Sequence, residues 1–472
     1  MANDHEHERE RSVDVAVVGA GTAGLAAYRA AVARGASALL VEAGPGGTTC
    51  ARVGCMPSKL LIAAADAAHR AADAGAFGVR TTVAIDGVAV MDRVRRERDR
   101  FVGFVLESVE GIPPTHRMQG RARFTAPGVL DVDGRTVRAR AVVLATGSSP
   151  VVPSAFDAVR DRVVVNDHVF DWTELPRSAA VFGGGVIGLE LGQALARLGV
   201  RVHLFGKGGG LGPLTDPVVR EAARAAIAAD LVMDLDASVV SVLPGLGSSV
   251  VVTTRGADGV LREEAFDTLV VAAGRRPNLG GLGLEHAGVR LHDGGPAGGV
   301  RVDRHTLQWG DAPVFVAGDA TNDRPLLHEA ADEGRIAGDN AARFPAVVRG
   351  ERRTPLGVVF SDPQLAIVGE TFDEATASGE IAIGAVSFDD QGRSRVMREN
   401  RGALRVYADR ATGRLRGAEL ASPRAEHLAH LLAWAHQAGM TIDQMLSMPF
   451  YHPVVEEGLR TALRDARAAL NT

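Results

Sequence analysis

The chain spells one structural phrase twice, and that repetition limits its fold more than any other feature. Ser12 to Gly19 (SVDVAVVG) is a short valine-rich run ending in glycine. The stretch after Thr22 (AGLAAYRAAVARG) has helical spacing and stops at Gly35, and Ala36 to Val41 (ASALLV) reads as the next buried strand. The same order of strand, glycine turn, helix and strand returns at Ala179 to Phe205 (AAVFGGGVIGLELGQALARLGVRVHLF). A strand that passes through a glycine turn into a helix and back to a parallel neighbour opens a doubly wound sheet. Two such openings predict two dinucleotide folds.

The remaining segments fit around them. Ala141 to Gly147 (AVVLATG) and Thr268 to Gly274 (TLVVAAG) each read as a late buried strand, one per fold. Ala312 to Asp319 (APVFVAGD) is a further strand ending in an acid, and the amphipathic run LLHEAADEGRIAGDNAA after it returns the chain to the first fold. From about Thr354 the pattern changes to antiparallel-like strands (LGVVF, LAIVGE, GALRVYAD, LRGAELA) and then helices through Leu470, which predicts an α+β domain. The glycine-rich stretches 206–212 and 294–299 read as loops.

Length and composition agree with several domains in one soluble chain. A single core stops growing near about 250 to 300 residues, and this chain has 472. It is 46% apolar and 23% charged, with no run of about eighteen apolar residues to span a bilayer. Its first eleven residues, MANDHEHERER, lack the apolar centre of a secretory signal, so a cytoplasmic home is expected. A net charge of −5 argues against a nucleic-acid partner. The basic run from Arg93 to Arg100 contains Glu97 and Asp99 and reads as a solvated helix face, and His5 and His7 as part of a solvated tail. No metal site is expected.

Four clusters carry chemistry. Gly19-Ala20-Gly21-Thr22-Ala23-Gly24 fits G-x-G-x-x-G between a strand and a helix, and Glu42 stands at the end of the following strand, where a carboxylate can accept ribose hydroxyls. Gly183-Gly184-Gly185-Val186-Ile187-Gly188 is the second fingerprint. Glu42 lies 23 positions after Gly19, and the same count from Gly183 lands on Gly206, so the ribose-reading acid is missing there. Its neighbour Lys207 suits a 2′-phosphate better than a free hydroxyl, which leaves NAD and NADP both open, with a plain loop charge as the simpler explanation of the lysine. The only two cysteines, Cys50 and Cys55, follow the first nucleotide unit in CARVGCMPSK. Residues five apart on a regular helix are roughly 8 to 9 Å apart at Cα, beyond disulfide reach, so bonding requires a distorted turn for which Gly54 supplies the slack. A pair so placed reads as redox-active rather than as a staple. Finally, His452 is followed five residues later by Glu457, a carboxylate able to orient it.

Taken in order, GAGTAG, CARVGCMPSK, GGGVIGLE, VFVAGDA, FSDPQLAIVG and HPVVEE resemble the pyridine nucleotide-disulfide oxidoreductases, closest to the dihydrolipoamide dehydrogenase branch, over the whole chain after the tail. The resemblance implies two Rossmann-like domains and a C-terminal α+β dimerisation domain: a disordered tail at 1–11, FAD domain at 12–150, NAD(P) domain at 151–278, a return to the FAD domain at 279–350 and an interface domain at 351–472. It implies that Cys50 meets substrate, that Cys55 exchanges electrons with the flavin, and that Lys59 pairs with Glu190 near the flavin. FAD would be held by Gly19, Gly21, Gly24, Glu42, Thr49, Lys59, Thr146, Gly147, Gly318, Asp319 and His328. The nicotinamide nucleotide, NAD or NADP, would be held by Gly183, Gly185, Val186, Ile187, Gly188, Gly206, Lys207 and Gly274. His452 and Glu457 would be the acid–base pair, reaching the cysteines of the other subunit of a homodimer. The implied reaction is oxidation of dihydrolipoamide, free or on the lipoyl domain of a multienzyme complex.

Three positions depart from the family pattern. Gly46-Gly47-Thr48-Thr49-Cys50 holds one residue more than the usual G-G-T-C, Gly206 replaces an acid, and Gln364 stands where a glutamate is common. Other readings are an NADPH-dependent reductase of a glutathione- or mycothiol-like disulfide, a cysteine-independent transhydrogenase or quinone reductase, and a docking subunit for an acyltransferase core. With only two cysteines, no second pair is present to carry electrons out to mercury or to a thioredoxin-type partner.

Overall fold

The computed structural model describes residues 10–256, 258–290 and 302–472. Of the tail expected over 1–11, residues 1–9 lie outside the described residues, while Glu10 and Arg11 open the first strand. The loop expected at 294–299 also lies outside them. The chain forms two compact units, one reaching to Pro57 and including Arg96–Val151 and Arg275–Arg352, the other comprising Ser58–Arg95, Val152–Gly274 and Arg353–Thr472.

The first unit is built on β1 (Glu10–Val18), α1 (Thr22–Ala33) and β2 (Ala38–Glu42), the elements expected from the first glycine phrase. After β2 come two helices in series, α2 (Thr49–Val53) and α3 (Cys55–Asp73), the second continuing beyond this unit. The sheet runs Arg117–Gln119, β2, β1, Arg135–Leu144, Val129–Val132, Ala122–Ala126, and Val314–Val316 pairs with the end of the Arg135–Leu144 strand. The half of it built around β1 and β2 is parallel. Parallel strands are covered on both faces, and Val15, Ala16 and Val17 are accordingly fully buried. The helix Leu327–Arg343 lies against α1 at very short range: a Cβ on Gly334 would stand 2.1 Å from the Ala23 carbonyl oxygen, and one on Gly338 2.1 Å from that of Ala27. Only glycine permits that approach, and it seats the preceding Gly318–Thr321 turn beside α1, where a Cβ on Gly318 would be 2.9 Å from that of Ala23.

The second unit repeats the phrase as β3 (Ser178–Phe182), α4 (Val186–Arg197) and β4 (Arg201–Phe205). Its all-parallel sheet has the order Val232–Asp234, β4, β3, Thr268–Val271, Val163–Val164. An antiparallel meander of Ser238–Pro244, Val250–Arg255 and Leu261–Phe266 precedes the Thr268 strand. The C-terminal stretch forms a five-stranded antiparallel sheet, Leu356–Val359, Gln364–Gly369, Leu415–Ser422, Ala403–Asp409, Ile381–Ser387, packed against helices Ala425–Gln437 and Glu456–Leu470. Arg197, at the end of α4 with its side chain 5% exposed, ties this unit together by pairing with Asp66 (3.1 Å), Asp230 (2.6 Å) and Asp362 (2.8 Å). Among the described residues no helix is long and apolar enough to cross a membrane.

Candidate active site

In the first glycine turn the three glycines have three different surroundings. Gly19 adopts φ +105°, and a Cβ there would meet the Ala145 carbonyl oxygen at 2.3 Å; one on Gly24 would meet the Gly19 carbonyl oxygen at 1.8 Å. These two serve the turn and the helix–strand packing. At Gly21 a Cβ would meet nothing within 4 Å, so this glycine faces open space at the amino end of α1, where unpaired backbone amides favour an anion. Glu42, at the end of β2, accepts the Ala20 amide on one oxygen and the Gly44 amide on the other, both at 2.6 Å. Each carboxylate oxygen keeps a lone pair for a ribose hydroxyl.

The second turn is built alike. Cβ atoms on Gly183 and Gly188 would meet Ala272 and Gly183 carbonyl oxygens at 2.3 and 1.9 Å, whereas Gly185 has nothing within 4 Å; Val186 and Ile187 form the first turn of α4. The strand end differs. Gly206 is buried, and a Cβ on it would be 2.7 Å from the Leu235 carbonyl oxygen and 2.8 Å from the Leu235 Cα. Backbone therefore fills the place a ribose-reading side chain would need. Lys207 beside it is exposed, while Asp236 accepts the Gly208 amide at 2.8 Å. Gly274, with φ +106°, ends the segment after the Thr268 strand.

Asp319 belongs to the Gly318–Thr321 turn and accepts a hydrogen bond from Ser148 Oγ at 2.6 Å; Ser148 in turn accepts from Arg275 Nε at 2.9 Å. Gly147 (φ +69°) and Thr146 precede that serine, and Thr146 Oγ1 is buried without a hydrogen-bond partner among the described residues, an orphan that a bound group would satisfy. His328 is exposed on the first turn of the Leu327–Arg343 helix. An open glycine face, a carboxylate at the strand end and an orphan hydroxyl suit a dinucleotide such as FAD.

The cysteines sit where the helix is interrupted. Gly46, Gly47 and Thr48 all take positive φ (73°, 87° and 57°), so the extra residue is absorbed in a left-handed loop. The Thr48 side chain then caps α2 by accepting from the Ala51 amide, with Thr49 as its first residue. Gly54 separates α2 from α3, and a Cβ there would lie 3.3 Å from the Cys50 Cα. That break brings the Cys50 and Cys55 sulfurs into hydrogen-bonding contact; this contact, then burial, pushes the Cys50 thiol up. Cys50 is half-buried and Cys55 exposed.

In the second unit Lys59 Nζ donates to both oxygens of Glu190, at 2.9 and 2.8 Å. Glu190 also accepts the Phe360 amide at 3.0 Å, and the Phe360 ring lies 4.5 Å beneath the ammonium. Lys59 is thereby fixed rather than free to swing. His452 Nδ1 hydrogen-bonds Glu457 at 2.9 Å, and Arg460 donates to the other Glu457 oxygen at 2.9 Å. Burial opposes the Glu457 charge, but the bonds from His452 and the Val454 amide and the neighbouring positive charges outweigh it and hold the carboxyl below its usual range. A carboxylate only accepts, so neutral His452 carries its proton on Nδ1 and presents Nε2 as base, with the side chain 81% exposed. Sequence reasoning missed Ser148, Arg275, Phe360 and Arg460. Each acts through a neighbour, and no local pattern marks them.

Comparison with known proteins decides the family. Residues 13–334 match the model described as pyridine nucleotide-disulphide oxidoreductase, and 356–463 match the dimerisation domain of the same family. The chain is a pyridine nucleotide-disulphide oxidoreductase. It is 31% identical to a dihydrolipoyl dehydrogenase of Halobacterium salinarum, covering 96% of each chain. It is also 31% identical to a mercuric reductase of Acidithiobacillus ferrooxidans, covering 96% of this chain and 82% of the other. In fold it is similar to the HOCl-induced flavoprotein disulfide reductase RclA of Escherichia coli, with a TM-score of 0.80 at 23% identity over 96% of this chain and 99% of that one. This oxidoreductase is thus a flavoprotein enzyme that uses FAD and a nicotinamide nucleotide, with a C-terminal domain of the dimerising type.

Proposed function

We propose that this oxidoreductase oxidises small dithiols of the dihydrolipoamide type through a Cys50–Cys55 disulfide, with NAD⁺ as acceptor. The observation that carries the reading is the sulfur pair at the broken helix, the only two cysteines of the chain, in contact and partly accessible. His452, held by Glu457, takes a proton from the substrate dithiol. The resulting thiolate attacks Cys50 Sγ, the Cys50–Cys55 bond breaks, and Cys55 leaves as thiolate. The second substrate thiolate then displaces Cys50 from the mixed disulfide, which releases oxidised substrate and leaves both cysteines reduced. Bound FAD supplies the two-electron relay from that dithiol to the nicotinamide nucleotide. Gly19, Gly21, Gly24, Glu42, Thr49, Thr146, Gly147, Asp319 and His328 would hold it. His452 serves the cysteines of a second subunit in a homodimer. The enzyme works in the cytoplasm on free dihydrolipoamide or on a lipoyl domain.

Both relatives share the same identity with this chain, so identity does not choose between their substrates. The cysteine count favours a small dithiol, since the 472 residues hold no second pair for relay to a mercuric ion. A second reading, an NADPH-dependent reductase of another small disulfide, is favoured by the closed Gly206 position and exposed Lys207. The test is Cys50→Ser: turnover of dihydrolipoamide should fall at least about a thousandfold with FAD retained. Unchanged turnover sinks the assignment, and a screen of small disulfides with NADPH separates the second reading.

A further inference from the structure

Behind the Gly318–Thr321 turn lies a buried charge cluster that the proposed chemistry does not use. Glu333, 1% exposed on the Leu327–Arg343 helix, accepts the Gly318 amide on Oε2 at 2.8 Å, and Thr321 Oγ1 stands 3.4 Å from the same oxygen. Gly318 and Thr321 begin and end the short turn that carries Asp319. Glu333 Oε1 lies 2.9 Å from Arg352 Nη2 but makes no hydrogen bond among the described residues. The same guanidinium nitrogen donates to Glu329 at 2.8 Å and stands 3.6 Å from Asp323. Arg324 approaches Glu329 at 3.6 Å and Arg304 pairs with Asp323 at 3.0 Å. Three carboxylates thus converge on Arg352, and Glu333 is the most deeply buried of them.

We propose that Glu333 is a positioning residue of the FAD site: its ionised carboxylate fixes the Gly318 to Thr321 turn, and so the Asp319 side chain, while its neutral form holds that turn loosely. A charged acceptor binds an amide about twice as strongly as a neutral one. Burial, opposed by Arg352 and the Gly318 amide and reinforced by Asp323 and Glu329, raises the Glu333 carboxyl to about 7. The change of grip therefore falls near neutral pH. The raised value also means that ionising Glu333 opposes folding, so this group's contribution to stability declines as pH climbs from about 4.5 to about 7.

This inference rests on FAD binding at the first glycine turn, which the flavin content of the purified holoenzyme checks separately. The experiment follows flavin fluorescence as FAD leaves diluted holoenzyme between pH 5.5 and 8.5. Release should be about fivefold faster on the acid side, with a midpoint near 7. Glu333→Gln should release FAD at one rate across the range and should lose the decline in thermal stability between pH 4.5 and 7. In Arg352→Gln, which loses the cation that favours ionisation, the midpoint should move to higher pH, a shift that a purely structural salt bridge would not produce. A Glu333→Gln enzyme with the wild-type pH dependence, or an Arg352→Gln enzyme with an unmoved midpoint, overturns the proposal. If Glu333→Gln fails to fold, the Arg352→Gln midpoint decides alone.

Discussion

In the proposed function a few side chains set the reactivity of the site, and two of them form the His452–Glu457 pair. Glu457 is held below the usual carboxylate range, so it stays charged wherever the enzyme works and accepts from Nδ1 of the imidazole beside it. In Glu457→Gln the charged acceptor that holds the His452 Nδ1 proton is lost. We expect the kcat/KM plateau to fall about tenfold, read from turnover between pH 5 and 9. The pair was legible in HPVVEE because its partners lie five residues apart. Lys59 and Glu190 came from the family resemblance, and the structure joins them at 2.8 Å across 131 positions. Ser148 with Asp319, 171 positions apart, was not legible, because no periodicity or motif connects such residues. The same holds for Glu333, whose helix reads as merely amphipathic until Gly318 is seen against it.

Among the elements, the two glycine phrases were the most readable part of the chain, and their glycines have matching surroundings in both copies. Helix spacing and a valine-rich strand persist in any surroundings, which is why β1, α1, β3 and α4 fall where the pattern puts them. What the pattern did not reveal is why position 206 lacks its acid: the Leu235 backbone, 29 positions on, occupies the space. Gly206→Asp should therefore fail to create a ribose-reading carboxylate and should destabilise the protein by about 2 kcal/mol, seen as a lowered Tm. Retained stability together with tightened NADH binding would show that the strand end can open. The break at Gly54 is the converse case, since the sequence demanded a distorted turn between the cysteines and the helix does stop there.

At the scale of the whole molecule, each Cys50–Cys55 pair is, in the proposed function, served by His452 of another subunit. A mixture of Cys50→Ser and Glu457-intact, His452→Gln subunits tests this, because in a mixed dimer one site would combine an intact cysteine pair with an intact histidine. Equal exchange should restore about a quarter of wild-type activity from two inactive parents. No recovery after verified exchange would place both groups in one chain. The antiparallel C-terminal sheet was legible from alternation, but Arg197, whose carboxylate partners Asp66, Asp230 and Asp362 come from three distant segments, was not. Dithiol oxidation itself is tested by mixing the purified FAD enzyme with dihydrolipoamide and following NAD⁺ or NADP⁺ reduction. At least one nucleotide should be reduced rapidly, and that reduction should be lost in Cys50→Ser; no reduction of either, with flavin bound and Cys50 and Cys55 intact, would overturn the proposed function.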